Sequence, residues 1–225
     1  VYSFRSFFHR SFFVVTSDGV IVGDPISVKG AQMMNAEIKK LTDKPVKYVL
    51  YSHNHWDHST GAKVFKDQGA RIISQAGCLK YFDRVPNANV IRPDETFEDS
   101  YEVKLGGETV RMLNFGPSHS DCLSFALLPR QKLLFLVDLV SGKSLPYRGM
   151  RDVDPAGSIE VLKKLEALKG FNRIMPGHGP PTLPRVLITM QREYREDLMA
   201  AVKEAFQKRM PVGKARKQIK LPKYK

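Results

Sequence analysis

Apolar and polar positions alternate along this chain between short β-rich runs and longer stretches with helical spacing. Residues 12–25 (FFVVTSDGVIVGDP) hold two β-rich runs around Ser17-Asp18-Gly19, which predicts a hairpin. Residues 27–42 carry apolar side chains at helical spacing and predict a helix. A buried strand follows over 46–52 (VKYVLYS), then a short helix stopped by Gly69, then a strand over 70–75 (ARIISQ). Residues 95–116 read as antiparallel strands joined at Gly106-Gly107, and CLSFALLP and KLLFLVDLV as two more around a short turn. Asp154 followed by Pro155 is a strong helix start, because Asp caps free N–H groups and Pro suits the first helical position. FNRIMPGHG is a short strand ending in a Gly/Pro loop, and 184–209 is an amphipathic helix. Mixed αβ and ββ segments around one core predict sheets sandwiched between helices.

The 225 residues suffice for one sizeable domain, expected over 1–210. Hydrophobic content of 42% and charged content of 26% are ordinary for a globular protein. No apolar run approaches the roughly 18 to 20 residues of a membrane helix. The net charge is +13, and Lys203–Lys225 contributes nine Lys/Arg against one Glu. Residues 211–225, few of them apolar and without a helical period, read as a frayed basic tail. Such a tail can touch nucleic acid, but a solvated tail is the favoured reading. Cys78 and Cys122 make no disulfide framework and are open to pairing or remaining free. For Cys122 a small buried thiol is favoured over a metal ligand. The location is left open: cytoplasmic is slightly favoured, and periplasmic or secreted follows if a leader was removed before Val1.

The chemistry-bearing residues share a place in this pattern. Ser52–Gly61 (SHNHWDHSTG) holds three of the six histidines directly after a strand. Asp24, His119, Asp138 and His178 likewise fall at or near strand ends. Imidazole and carboxylate donors suit zinc-like ions. In an extended segment alternate residues point the same way, so His53 and His55 can grip one ion. Asp57 and His58, at the start of the next helix, can turn toward a second. Two ions this close need distant ligands and a bridging carboxylate, for which His119, His178, Asp138 and Asp24 are candidates. A lone H-x-H is weak; H-x-H-x-D-H together with these residues is specific.

The motifs HNHWDH (53–58), GPSHSD, LFLVDLV, PGHG and VGDP, in this order over about residues 10–180, resemble those of the metallo-β-lactamase fold superfamily. The resemblance implies a four-layer αβ/βα sandwich, two mixed sheets flanked by helices, with a binuclear centre at one edge. It implies two Zn2+ ions, with Fe or Mn as alternatives. His53, His55 and His119 would hold metal one, Asp57, His58 and His178 metal two, and Asp138 would bridge. Asp24 would support the histidine loop. The chain departs from the family in Ser120-Asp121-Cys122, where Thr-Pro-Gly often follows the histidine, and in Val137, where Gly often precedes the aspartate. No counterpart of a metal-two cysteine is evident, which places the chain nearer the His/Asp-only branch.

Two such ions would activate a water, and Asp57 would orient the attacking hydroxide. That agrees with the lack of a G-x-S-x-G elbow. The leading function is hydrolysis of an amide, ester or thioester of a small molecule, with a β-lactam or lactone as candidate. The alternative is an RNA-processing phosphodiesterase, favoured by charge but not by any inserted RNA-gripping segment. A flavodiiron-type redox protein lacks its second domain here, and a non-catalytic binding module is disfavoured by the intact ligand set. Tyr147 and Arg148 are candidates to line the pocket. FRSFFHRSFF (4–13) belongs, by the resemblance, to a hairpin near the rim, where it would cover an apolar substrate or pack as core. His9 reads as a surface histidine, and Trp56 as packing beneath the metal loop.

Overall fold

The computed structural model describes residues 1–142 and 152–224. Twelve strands among them form two six-stranded mixed sheets. The first sheet runs in chain order: β1 (Tyr2–Ser6), β2 (His9–Val15), β3 (Val20–Val22), β4 (Val46–Leu50), β5 (Arg71–Gln75) and β6 (Glu95–Phe97). Its first three strands are antiparallel neighbours and the rest pair in parallel. The second sheet holds β7 (Ser100–Leu105), β8 (Glu108–Asn114), β9 (Ser124–Leu128), β10 (Leu133–Leu136), β11 (Arg173–Pro176) and β12 (Leu183–Pro184). Only β10 and β11 pair in parallel there.

Strand alternation explains why the first sheet is apolar on both faces. Phe12, Val14, Ile21, Leu50 and Ile73 point into the core shared with the second sheet. Their chain neighbours Phe13, Val20, Val22, Val49 and Ile72 point the other way, onto Ala31, Met34 and Ile38 of α1 (Val28–Leu41). A period of two places consecutive apolar residues on opposite faces, so continuous runs such as Phe12–Val15 belong to a sheet covered on both sides. On the far side Val161, Leu162 and Leu165 of α5 (Pro155–Ala167) join the inter-sheet core, and α6 (Leu187–Gln207) packs against α5. The four-layer sandwich is therefore present. No helix among the described residues is long and apolar enough to cross a membrane.

Capping follows the sequence. Ser27 Oγ accepts from Gly30 N–H (2.9 Å) at the start of α1, and Asp154 Oδ1 from Gly157 N–H (2.8 Å) at the start of α5. Short helices α2 (Trp56–Ser59) and α3 (Lys63–Lys66) follow β4.

Three expectations change. The C-terminal segment is not frayed: it forms α7 (Val212–Gln218) and a 3-10 turn at Pro222–Tyr224. It folds back on α6, with Lys223 Nζ 2.8 Å from Glu193 and Tyr224 OH donating to Asp197 (2.6 Å). Lys223 finds acidic partners on α6, about 30 residues back, which no local period reveals. A further helix, α4 (Leu79–Arg84), was also not indicated by periodicity. Cys78 and Cys122, open to pairing or remaining free, form a disulfide, both fully buried, so Cys122 is not the free thiol expected.

Candidate metal centre

All the donors lie at one rim, at the ends of strands. His53 and His55 follow β4, Asp57 and His58 sit in α2, His119 lies between β8 and β9, Asp138 follows β10 and His178 follows β11. Their donor atoms form two groups that could each hold a metal ion: His53, His55, His119 and Asp138; and Asp57, His58, Asp138 and His178. Asp138 is common to both. Its Oδ2 is 3.6 Å from His53 Nε2, 3.5 Å from His119 Nε2 and 3.3 Å from His58 Nε2, and its Oδ1 is 3.0 Å from His178 Nε2.

Several local devices hold these side chains. Asp138 has φ +56°, in the left-handed region that Asp tolerates better than most residues, within a tight turn closed by Leu139 N–H to Val137 O (2.7 Å). Gly177 is required by packing: a Cβ there would lie 2.7 Å from Val137 Cγ1 and 2.9 Å from the His58 ring. The valine preceding Asp138 is thus accommodated by a glycine on the neighbouring strand end. On the other flank, Asp154 N–H donates to Ser118 O (2.7 Å), which ties the start of α5 to the His119 loop.

The hydrogen bonds behind the histidines decide which ring nitrogens face the centre. Asp24 is fully buried and accepts from Ser52 N–H and Ser52 Oγ–H, both at 2.7 Å. Ser52 Oγ, its proton committed to Asp24, accepts from His53 Nδ1 (2.9 Å). Asp24 Oδ2 also accepts from His58 Nδ1 (2.9 Å). Asp152 accepts from His55 Nε2 (2.7 Å). In the neutral tautomers this leaves lone pairs on His53 Nε2, His58 Nε2 and His55 Nδ1, all turned inward. His55 Nδ1 then faces His119 Nε2 at 3.0 Å, and His58 Nε2 faces His178 Nε2 at 3.2 Å.

Such convergence of acceptors calls for a cation, and the protonation balance agrees. Burial alone would lower the His58 pKa, but Asp138 and Asp24 outweigh it and hold it well above the ordinary value. Burial would raise the Asp138 carboxyl, yet the facing imidazoles, His58 foremost, hold it well below. Burial pushes His53 well down, helped by the neighbouring histidines, and pushes His119 down to about 4 against the pull of Asp138. The Asp138 carboxylate thus favours a positive charge beside it, here a proton on His58, while burial favours the neutral form of His53 and His119, the form that binds metal. His53 Nε2 is buried with no hydrogen-bond partner, another sign that a ligand belongs there. The donor set, imidazole nitrogens with carboxylate oxygens, fits zinc and is also compatible with iron or manganese.

All eight residues expected from the motifs, Asp24 included, meet here. Tyr147 and Arg148 lie outside the described residues. Two expectations are corrected. Trp56 is half exposed (51%) because α2 turns it outward, so it does not pack beneath the loop. His9 is not an isolated surface histidine: its Nε2 lies 3.4 Å from Asp57 Oδ2 and its ring is 4.8 Å from that of His178. Sequence reasoning missed Ser52 and Asp152 as partners of the histidines; Asp152 is 97 residues from His55, and nothing local marks it.

Residues 6–178 match the family model described as "Metallo-beta-lactamase superfamily". A linear primary-alkylsulfatase from Pseudomonas sp. is 26% identical over 231 residues, covering 81% of this chain and 43% of that protein. A hydroxyacylglutathione hydrolase from Pelagibacter ubique is 34% identical over 73 residues, covering 30% of this chain and 29% of that one. The chain spans less than half the length of these curated relatives. Among solved structures, a metallo-beta-lactamase from Pontibacter korlensis superposes with TM-score 0.72 and 21% identity, over 84% of this chain and 87% of that one. Metallo-beta-lactamase IND-7 gives 0.73 and 21%, over 84% and 86%. At that identity these two speak for the fold, while the family match takes in every donor from His53 to His178: the chain belongs to the metallo-β-lactamase superfamily.

Proposed function

We propose that this protein is a metal-dependent hydrolase that opens an amide, ester or thioester bond of a small molecule at a dinuclear centre. The observation that carries this reading is the pair of donor groups meeting at Asp138. His53, His55 and His119 would hold one ion and Asp57, His58 and His178 the other, with Asp138 available to both. Two bound zinc ions, or iron or manganese, would supply an activated water at neutral pH and polarise the bond to be cut.

The chain's own residues do the rest. Asp24, through Ser52 and directly, keeps His53 and His58 in the tautomers that present Nε2. Asp152 does the same for Nδ1 of His55. Asp57 is the most exposed donor, with 43% of its side chain open to solvent. Its carboxylate would accept a hydrogen bond from the water and so orient it. The names of the relatives, an alkylsulfatase and a thioester hydrolase, widen the bond class to test to sulfate esters.

The test is a substrate panel on protein loaded separately with zinc, iron and manganese: a chromogenic cephalosporin, a lactone, a hydroxyacylglutathione thioester, a linear alkyl sulfate and an activated phosphodiester. Turnover of an amide, ester or thioester that a chelator abolishes and metal restores is the expected result. Turnover confined to the phosphodiester would move the assignment to the nuclease branch. Chelator-insensitive turnover, or none by any metal-loaded form, would overturn the proposal.

A further inference from the structure

Three donors on the 53–58 segment are held from behind by a residue that is not itself a donor: His53 by Ser52, His55 by Asp152, His58 by Asp24. The fourth, Asp57, is the most exposed of the set. Among the described residues, the one outside the donor groups whose side chain approaches its carboxylate within ion-pair distance is His9, with Nε2 3.4 Å from Oδ2, though burial lowers the imidazole's pKa and favours its neutral form. The same Oδ2 is 3.5 Å from both His58 Nε2 and His178 Nε2, so it points into the second group.

His9 is itself firmly placed. It opens β2 just after the two-residue turn Phe7-Phe8, and its backbone bridges to His178. Arg10 N–H donates to Gly177 O (2.7 Å), Arg10 Nε to Gly179 O (2.5 Å), and Gly179 N–H to Phe8 O (3.3 Å). The imidazole is stacked on Phe8 at 4.1 Å and meets the His178 ring edge-on at 4.8 Å. Backbone clips and ring contacts together fix the place of the imidazole, with Nε2 3.4 Å from Asp57 Oδ2.

We propose that His9 is a positioning residue for the second donor group: its Nε2, 3.4 Å from Oδ2, keeps the Asp57 carboxylate turned toward His58 and His178. This inference rests on the dinuclear reading above, in which Asp57 is a ligand. It adds a role for the last of the chain's six histidines, on a hairpin remote in sequence from the H-x-H-x-D-H motif. The geometry makes the contact specific to one group. No ion-pair or ring contact links His9 to His53, His55 or His119, so its loss acts on the second ion and spares the first.

The experiment is a titration of metal-free protein with zinc against a chromophoric competitor, which resolves the first and second equivalents. His9→Phe keeps an aromatic ring against Phe8 and His178 but removes the N–H. His9→Gln keeps an N–H donor at similar reach. His9→Phe is expected to weaken the second equivalent about tenfold or more, the usual cost of losing a ligand's supporting partner, and to leave the first unchanged. His9→Gln should recover most of that loss. Asp57→Ala is the control for the underlying reading and should abolish tight binding of the second equivalent. If Asp57→Ala leaves two tight equivalents, the donor assignment itself fails. If Asp57→Ala loses the second and His9→Phe does not weaken it, or weakens both equally, the positioning role is overturned.

Discussion

The two donor groups use the same residue types but are braced in different ways. The first, around His53, His55 and His119, is enclosed by chain that is locked in several places. The Cys78–Cys122 disulfide sits three residues beyond His119, the start of α5 is hydrogen-bonded to Ser118, and Asp152 holds His55. A Cβ on Gly157 would come 2.3 Å from Pro117 O, so the helix end presses directly on this loop. The second group, Asp57, His58 and His178, has its most exposed donor at the rim and is closed by a hairpin held through backbone hydrogen bonds. Similar donors on unequal supports lead to the expectation that the first site is the stiffer. A stiff site loses less entropy on binding and should load first; a site with an exposed donor depends more on each remaining contact.

Asp138 tests whether the groups are one centre, and its removal carries the largest expected effect. Asp138→Asn keeps the shape but takes away the charge that both groups share. Binding of both metal equivalents should fall, and any turnover should drop by more than the roughly 100-fold typical of losing a supporting residue. Metal content by elemental analysis, measured beside the rate, checks this. Loss of one equivalent with the other at full affinity would break the comparison, because the groups would then be independent sites.

The disulfide comes next and bears on the first group alone. It links residues 44 apart in sequence, for which the chain-entropy account gives about 4 kcal/mol of stabilisation. Cys78→Ala with Cys122→Ala, or a strong reductant on the wild type, should lower the unfolding free energy by about that amount in denaturant titration. The first metal equivalent should weaken more than the second. An equal loss at both would show that the bond stiffens the whole fold and not one side of the site.

What was legible in the sequence divides along the same line as the supports. The donors could be read because H-x-H-x-D-H is local and because the others sit at or near ends of apolar strands, whose period of two is strong here. The two unindicated helices, α4 and α7, are those with no buried residue, so they left no apolar period to read. The braces were illegible for another reason. Asp152 to His55, Cys78 to Cys122, Lys223 to Glu193 and His9 to Asp57 are all contacts made by the fold between residues distant in sequence. Each of these residues, taken alone, looks like an ordinary surface charge, a spare thiol or a stray histidine. Trp56 was misplaced because an aromatic residue inside a metal motif suggests packing, whereas the turn of α2 faces it outward.

Asp152 gives the smallest of the expected effects and the sharpest comparison. Asp152→Asn retains a side chain of the same size beside His55 Nε2, and its amide oxygen can still accept a weaker hydrogen bond. The charge that makes His55 a better donor is lost, and the amide can also present its NH2 group, which favours the wrong tautomer. The first equivalent should bind about 10-fold more weakly, with the second unchanged, the mirror image of what is expected for His9→Phe. Combining the two substitutions in one chain then measures how far the groups communicate through Asp138. If each group answers only to its own brace, the losses add within a few tenths of a kcal/mol. A shared carboxylate that shifts toward the better-held ion would instead make the second loss depend on the first, and that non-additivity would place the coupling at Asp138.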